Sequence, residues 1–410
     1  MTTTSEKRAP GTAKLFRGGE VFTPDGTLEK RDVLVEGDRI AAPAATTRTD
    51  VEVVDCTGMT ILPGFIDCHV HVMTSSLNVV RRLDTPLSYR FFEAARNLRA
   101  TLHAGVTTVR DAAGADAGIR RALEEGLIEG PRLQTAIGMI SQTGGHGDRT
   151  TASGTWVPSM PEYPGMPATI ADGPEEIRRV VRTLIRDGAD VIKVATSGGV
   201  MSPRSNPRHG HLRAAELHVL VEEARAAGIP TMAHAQSAEG IKEAVRAGID
   251  SIEHGVFLDQ EAIDLMCEHG TFLVPTLVSG PGVLRARDVI SAESVQKVEA
   301  GVAAHMDSIR AAVRAGVRIA MGTDSGVTPH GENLAELPLL EEVGMDPVQV
   351  LQSATSEAAK LLRVDAEVGT VEAGKKANLV IVEGSPLELE TIPDRLRIVV
   401  FNGEIVRSDR

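Results

Sequence analysis

Aromatic residues are scarce in this chain. Its 410 positions hold 8 Phe, 2 Tyr and 1 Trp, too few for the stacking platforms that bind single-stranded nucleic acid. Positive charge is also in deficit. Lys and Arg number 43 against 56 Asp and Glu, a formal net charge of -13, whereas a general nucleic-acid binder needs a basic footprint to displace counterions. Three cysteines, at 56, 68 and 267, cannot build a disulfide framework and fit a reducing cytoplasm. No stretch reaches about 18 uninterrupted apolar residues, so no membrane span is expected. Met1 to Gly19 is polar and interrupted by Pro10, without the apolar core of roughly 7–15 residues that marks a signal peptide. A cytoplasmic location is the expectation.

What is present is an ordinary globular composition, 42% hydrophobic and 24% charged, which excludes wholesale disorder. At about 150 residues per domain the length allows two or three domains, or one large barrel with an appendage. The first 60 residues read as short strands: Lys14 to Phe22, Asp32 to Ile40 and Val51 to Val54. The last stretch reads alike, with Ala377 to Val382 and an Asn402-Gly403 hairpin signal inside Arg397 to Val406. Neither end has enough strands for a stable sheet alone. Both ends are therefore expected to meet in one β-sandwich, residues 1–62 plus 367–410.

Between them, residues 63–366 alternate short apolar runs with helical-period segments. The runs are Gly64–Asp67, Thr107–Arg110, Leu133–Ile137, Val191–Val194, Thr231–Ala233, Ser251–Glu253, Thr271–Val274 and Ile319–Met321. Pro174 to Asp187, with Asp172 as a cap, Leu212 to Ala227 and Ala238 to Ala247 are the clearest helices. Eight strand–helix units predict an α/β fold, a (β/α)8 TIM barrel. A doubly wound sheet is the alternative, but no glycine fingerprint follows an early strand. Ser141 to Asp172 departs from the pattern, being rich in Gly, Pro, Ser and Thr. It reads either as a surface loop or as a loop, 141–172, over the barrel mouth.

Residues able to hold a metal fall at the ends of the proposed strands. His69 and His71, at i and i+2, point to one face of a strand. At a barrel strand's C-terminal end that face is the mouth, where active sites are built. His-x-His alone is equally compatible with an incidental pair. Lys193 sits in the apolar run Asp190-Val191-Ile192-Lys193-Val194, where a buried cation is costly; snorkelling or ion pairing is the ordinary alternative. His234, His254 and Asp324 end the fifth, sixth and eighth runs. One buried histidine is usually a satisfied core residue, but four His, one Lys and one Asp at matching strand ends make a constellation.

As an ordered set, Gly64-Phe65-Ile66-Asp67-Cys68-His69-Val70-His71, Lys193, His234, His254 and Asp324 resemble the amidohydrolase superfamily. The resemblance covers nearly the whole chain. More narrowly the chain looks like the prolidase-related and imidazolonepropionase-like metal-dependent hydrolases. Gly144-Gly145-His146-Gly147-Asp148, Ser197-Gly198-Gly199-Val200-Met201-Ser202, Ser251-Ile252-Glu253-His254-Gly255 and His330-Gly331-Glu332-Asn333 carry that match, with Ala354-Thr355-Ser356-Glu357-Ala358-Ala359. The resemblance implies two divalent metal ions, with zinc favoured by the ligand set. His69, His71 and Asp324 hold one, His234 and His254 the other, and Lys193, carboxylated by carbon dioxide, bridges them. It further implies attack by a metal-bridging hydroxide, with Asp324 as proton shuttle and His146 as a second donor to the oxyanion. His330 is a candidate at the edge of the site. Homo-oligomers are common among such relatives.

The same resemblance separates branches. Deaminases commonly carry an acid three residues after the fifth-strand His and lack the strand-four Lys; here Ser237 and Lys193 occupy those places. Dipeptidase-like relatives often follow that His with Ala-Tyr, where this chain has Ala235-Gln236. Gln236 can donate a hydrogen bond but offers no ring. The expectation is a hydrolase of an exocyclic amide in a small molecule: a dipeptide, an N-acyl amino acid or an aryl amide with a free carboxylate. Arg208, with Arg204 and Arg213, could pair that carboxylate. The alternative is a cyclic-amide or lactam hydrolase. A degenerate barrel without catalysis predicts a broken ligand set, and all six ligand positions are filled.

Overall fold

The computed structural model describes residues 13–42, 51–151, 153–202 and 204–409. The polar segment 1–12, on which the reading of the N-terminus rests, lies outside the described residues. Strands from both chain ends share a six-stranded sheet in the order Glu404–Ser408, Leu396–Phe401, Leu379–Glu383, Met59–Pro63, Glu20–Phe22, Leu28–Lys30. A four-stranded sheet, in the order Arg39–Ile40, Val33–Glu36, Ala13–Arg17, Val51–Asp55, lies beside it. Phe16, Val35 and Val54 of the smaller sheet join Ile61, Leu379, Ile381 and Ile398 of the larger in one apolar core. The hairpin expected at Asn402-Gly403 forms, with both residues at positive φ (48° and 80°), as a tight two-residue turn requires.

The middle of the chain forms parallel strands. Phe65–Val70, Val106–Asp111 and Arg132–Thr135 make one three-stranded sheet. Met139–Ile140, Ile192–Ala195, Thr231–Ala235, Ser251–His254 and Phe272–Val274 make a five-stranded one. Arg132–Thr135 and Met139–Ile140 are consecutive in the chain and joined through Ile137, at φ 62°. The expected eighth run, Ile319–Met321, is present as isolated bridges. Ile319 pairs with Leu273, and further on Ser325 pairs with Val70. Ala320 N donates to Leu273 O (3.0 Å) and Cys68 N to Met321 O (2.9 Å), so this segment bonds to both sheets.

Helices cover these strands where the periodicity places them. Pro174–Arg186 opens with Pro174, Glu175 and Glu176, favoured by the helix's positive end, and buries Ile177, Val180, Val181 and Leu184. One expectation needs correcting: Asp172 does not cap it. The N-cap is Gly173, and the Asp172 carboxylate instead accepts from Thr143 N (3.0 Å) and Thr143 Oγ1 (2.5 Å). Two neutral donors from the 141–172 loop outcompete the single helix N–H, which ties the loop's two ends together. Ala238–Ala247 is capped by Ser237 and closed by Gly248 in the left-handed conformation. Among the described residues no helix is long and apolar enough to cross a membrane.

Candidate active site

The parallel register aligns the chemistry. Lys193 pairs with Met232, Ala195 with His234, His234 with Glu253 and Ala235 with His254, so three neighbouring strands present their candidate ligands side by side. Gly322 carries the 319–325 segment past His69: a Cβ there would lie 2.4 Å from Val274 Cγ1 and 3.0 Å from His69 Cβ. His254 (φ 74°) and Asp324 (φ 59°) both sit in the left-handed region, at a cost of about 1–2 kcal/mol each for a side chain with Cβ. Such strain turns the last residue of a strand into the cavity. The surroundings enforce it: His305 Nε2 donates to His254 O (2.8 Å), and Asp324 N donates to His69 O (2.7 Å).

His69, His71 and Asp324 offer ligand atoms all within 4.8 Å of one another. Asp324 Oδ1 is 3.5 Å from His69 Nε2 and 3.2 Å from His71 Nε2. The other ring nitrogens are already engaged. His69 Nδ1 donates to Glu253 Oε2 (2.6 Å), and His71 Nδ1 donates to Ala113 O (3.0 Å). Both Nε2 atoms are thereby left free to act as ligands to a metal ion. Glu253 Oε1 accepts from Arg110 Nη2 (3.0 Å) and from Ser251 Oγ (2.6 Å), and Arg110 Nε donates to Cys68 O (2.7 Å). Beneath them Asp67 accepts from His69 N, Thr323 N, Thr323 Oγ1 and Asn333 Nδ2 at 2.6–3.1 Å.

His234 and His254 form the other half. Their ring centroids are 4.7 Å apart, and His254 lies 5.1 Å from His69. His234 Nε2 donates to Gly198 O (3.2 Å). Thr276 Oγ1 spends its own proton on Pro275 O (2.6 Å), so His254 Nδ1 donates to it (2.7 Å). The Thr276 loop is held in turn by Glu336, whose two oxygens accept from Leu277 N (2.7 Å) and Val278 N (2.9 Å). His146 stacks on His234 at 4.0 Å between centroids, and its Nδ1 is 3.0 Å from Ser202 Oγ. Gly199 makes room for that ring, since a Cβ there would lie 2.3 Å from it.

Lys193 lies among these groups, 1% exposed, and its Nζ has no hydrogen-bond partner. Burial lowers its pKa to about 8. Burial, with the nearby Lys193 charge, also lowers His69 and His254 well below the ordinary imidazole range and His234 to about 3. The rings are thus neutral, the form a metal ligand requires. His71 moves the other way: burial opposes its protonation, but Asp324 and Asp111 outweigh that and raise its pKa.

All eight of His69, His71, His146, Lys193, His234, Gln236, His254 and Asp324 line one cavity of about 480 Å³. The 141–172 loop also contributes Arg149, Trp156 and Met160 to its wall. Two expected residues stand apart. His330 is outside the wall, donating from Nε2 to Thr74 O (3.1 Å). Arg208 is exposed outside it, its guanidinium 3.9 Å above the ring of Phe257, which does line it. Sequence reasoning gave no role to Arg110, Asp67, Glu253, Thr276, His305, Asn333 or Glu336. A charged residue within an apolar run marks Asp67, Arg110 and Glu253, but the others carry no local signal.

Comparison with known proteins agrees with this arrangement. The amidohydrolase family matches residues 60–406. Over 349 residues the chain is 34% identical to the ochratoxinase of Aspergillus niger, covering 80% of this chain and 71% of that one. A crystal structure of a prolidase complexed with N-methylphosphonate-L-proline superposes with a TM-score of 0.89 at 34% identity, covering 97% of this chain and 100% of the other. An imidazolonepropionase from a Methylobacterium species is 28% identical over 397 residues, 87% of each chain. The chain belongs to the amidohydrolase family and is a hydrolase of amide bonds.

Proposed function

We propose that this chain is a two-metal amidohydrolase that cleaves an exocyclic amide bond in a dipeptide, an N-acyl amino acid or an aryl amide bearing a free carboxylate. The observation that carries the reading is Lys193: an amine 1% exposed, without a partner, beside four histidines and Asp324. An unpaired ammonium is costly to keep there. With a pKa near 8, a fraction of the amine is neutral at physiological pH. Its Nζ can then form a bond to carbon dioxide and lose a proton, leaving a carbamate anion. An anion at this position suits the donor set around it. His69, His71 and Asp324 would hold one divalent ion, His234 and His254 the other, and carboxylated Lys193 would serve both. Imidazoles with carboxylates suit zinc.

Bound metals supply a water of lowered pKa and polarise the scissile carbonyl. The chain's own groups do the rest. Asp324 accepts the proton of the attacking water and passes it to the leaving nitrogen. His146 is placed to donate to the oxygen that gains charge, its ring held by the contact of Nδ1 with Ser202 Oγ at 3.0 Å. Ser202 is buried at the foot of the His146 ring. We read the two parallel sheets and the 319–325 segment as one (β/α)8 barrel, residues 63–366, with the 141–172 loop over its mouth. Residues 1–62 and 367–410 are read as the flanking β-sandwich. The likeness to a prolidase and an ochratoxinase favours linear amides over the cyclic amide of imidazolonepropionase. The test is a screen of N-acyl amino acids, Xaa-Pro dipeptides, aryl amides and lactams with the zinc- or cobalt-loaded enzyme between pH 6 and 9. Turnover of the linear carboxylates is expected; turnover of lactams alone overturns the choice of bond, and turnover of none overturns the function.

A further inference from the structure

The cavity wall contains more positive charge than the metal site explains. Besides Lys193 and Arg208, the cations in or beside it include five of the described residues, three of them occupied. Lys297 Nζ donates to Ser202 O (3.2 Å) and Ser205 O (2.8 Å) and pairs with Glu293 (2.6 Å). Arg81 pairs with Glu93 (2.5 Å), and Arg90 donates to Met73 O (3.4 Å) and Ser159 O (2.8 Å). Arg82 and Arg149 differ. Both line the cavity, and neither side chain has a hydrogen bond or ion pair among the described residues. The Arg82 Nε is fully buried and unpartnered. Apart from Asp324, Glu162 is the carboxylate in the wall; it is exposed and pairs with neither arginine.

These two residues come from different segments. Arg82 lies on the helix Val79–Asp84, and Arg149 on the loop that also carries His146. Burial, together with the Arg82 charge, lowers the Arg149 pKa to about 10, and the Arg149 charge in turn disfavours a proton on His146. Arg149 therefore lies within electrostatic reach of both Arg82 and His146, and all three line the same cavity. Two part-buried guanidinium groups on one wall, both unpaired, are costly to keep. A bound carboxylate removes that cost, because the planar fork of a guanidinium matches it with two parallel hydrogen bonds. Part of the wall is apolar, including Val256, Phe257, Val283 and Val298.

We propose that Arg82 and Arg149 form an anion subsite that seats the carboxylate of the amide substrate, with the substrate's apolar half against the uncharged wall. The role assigned by sequence position to Arg208 passes to this pair. The substrate class narrows to amides that combine a carboxylate with a bulky apolar group. This deepens the amide-hydrolase reading and rests on it for the word substrate, but its test does not need turnover.

The zinc-loaded enzyme is titrated calorimetrically with 3-phenylpropanoate and with its neutral counterpart, 3-phenylpropanamide. The acid is expected to bind at least about tenfold more tightly. In Arg82→Met/Arg149→Met the gap should fall below about threefold, while Arg82→Lys/Arg149→Lys, which retains the charges, should keep part of it. Should the double Met variant fail to fold, Arg82→Met alone, on a half-buried helix position, carries the same comparison. Equal binding of acid and amide by the wild type overturns the subsite. So does an acid preference that survives in the Met variants, since the carboxylate is then held by the metals or elsewhere. A failure of every amide to turn over counts against the hydrolase reading and leaves this measurement intact.

Discussion

The two halves of the site are held by different chemistry. Around His69, His71 and Asp324 the supports include buried charges: Glu253 on the His69 ring, Arg110 on Glu253, and Asp67 on the His69 backbone. Around His234 and His254 the groups touching the rings are neutral, Gly198 O and the Thr276 hydroxyl, with His146 stacked from a loop. A charged network in a water-poor interior fixes geometry tightly but tolerates no missing member. Neutral hydrogen bonds cost less to lose and give more easily. The first half is therefore the rigid anchor, and the second is the half that can adjust to a substrate carbonyl.

The largest blow to that comparison removes its shared centre. Asp324→Asn keeps the shape of the side chain but takes away the proton acceptor, and kcat should fall by at least about 10³-fold with metals retained. A kcat near that of the wild type would remove Asp324 from the chemistry. Next come the supports. Glu253→Gln leaves Arg110 buried beside a neutral amide, which should cost about 3–5 kcal/mol in urea denaturation and about 10–100-fold in metal affinity against a chelator. Thr276→Val on the opposite half should cost about 1–3 kcal/mol, with a smaller loss of metal affinity. Equal losses in the two variants would erase the distinction between anchor and adjustable half.

A further contrast is a pH dependence on the adjustable side. Burial raises the Glu336 carboxyl from 4.5 to about 8, although two backbone N–H groups favour its ionised form. The folded chain thus binds a proton that the unfolded chain releases near pH 4.5. The associated stability is complete below that pH and is lost as pH rises towards 8. Unfolding free energy should decline between pH 5 and 8 in the wild type. In Glu336→Ala, weaker overall, the decline should be shallower, and an unchanged slope would show that Glu336 is ionised throughout.

What could be seen in the sequence follows from how local each signal is. His69, His71, Lys193, His234, His254 and Asp324 each interrupt or end an apolar run, so strand periodicity locates them. Helix Ala238–Ala247 has the expected bounds because its cap, Ser237, and its terminator, Gly248, are adjacent to it. The supports could not be read that way. Glu253 meets His69 across 184 residues, Arg110 meets Glu253 across 143, and Asn333 meets Asp67 across 266. Such pairings exist only once the parallel strands are in register. Asp172 shows the same limit at short range, because a cap position read from sequence was taken by a loop 29 residues away. Arg82 and Arg149 have no motif at all, and only the cavity brings them to one wall.

The central claim is that Lys193 completes a two-metal site. Its most direct test is metal analysis of the purified wild type and of Lys193→Met, a variant of similar length that cannot form a carbamate. The account predicts about two divalent ions per wild-type chain and one or none in Lys193→Met. A single ion in the wild type, or two ions retained without the lysine, would contradict it.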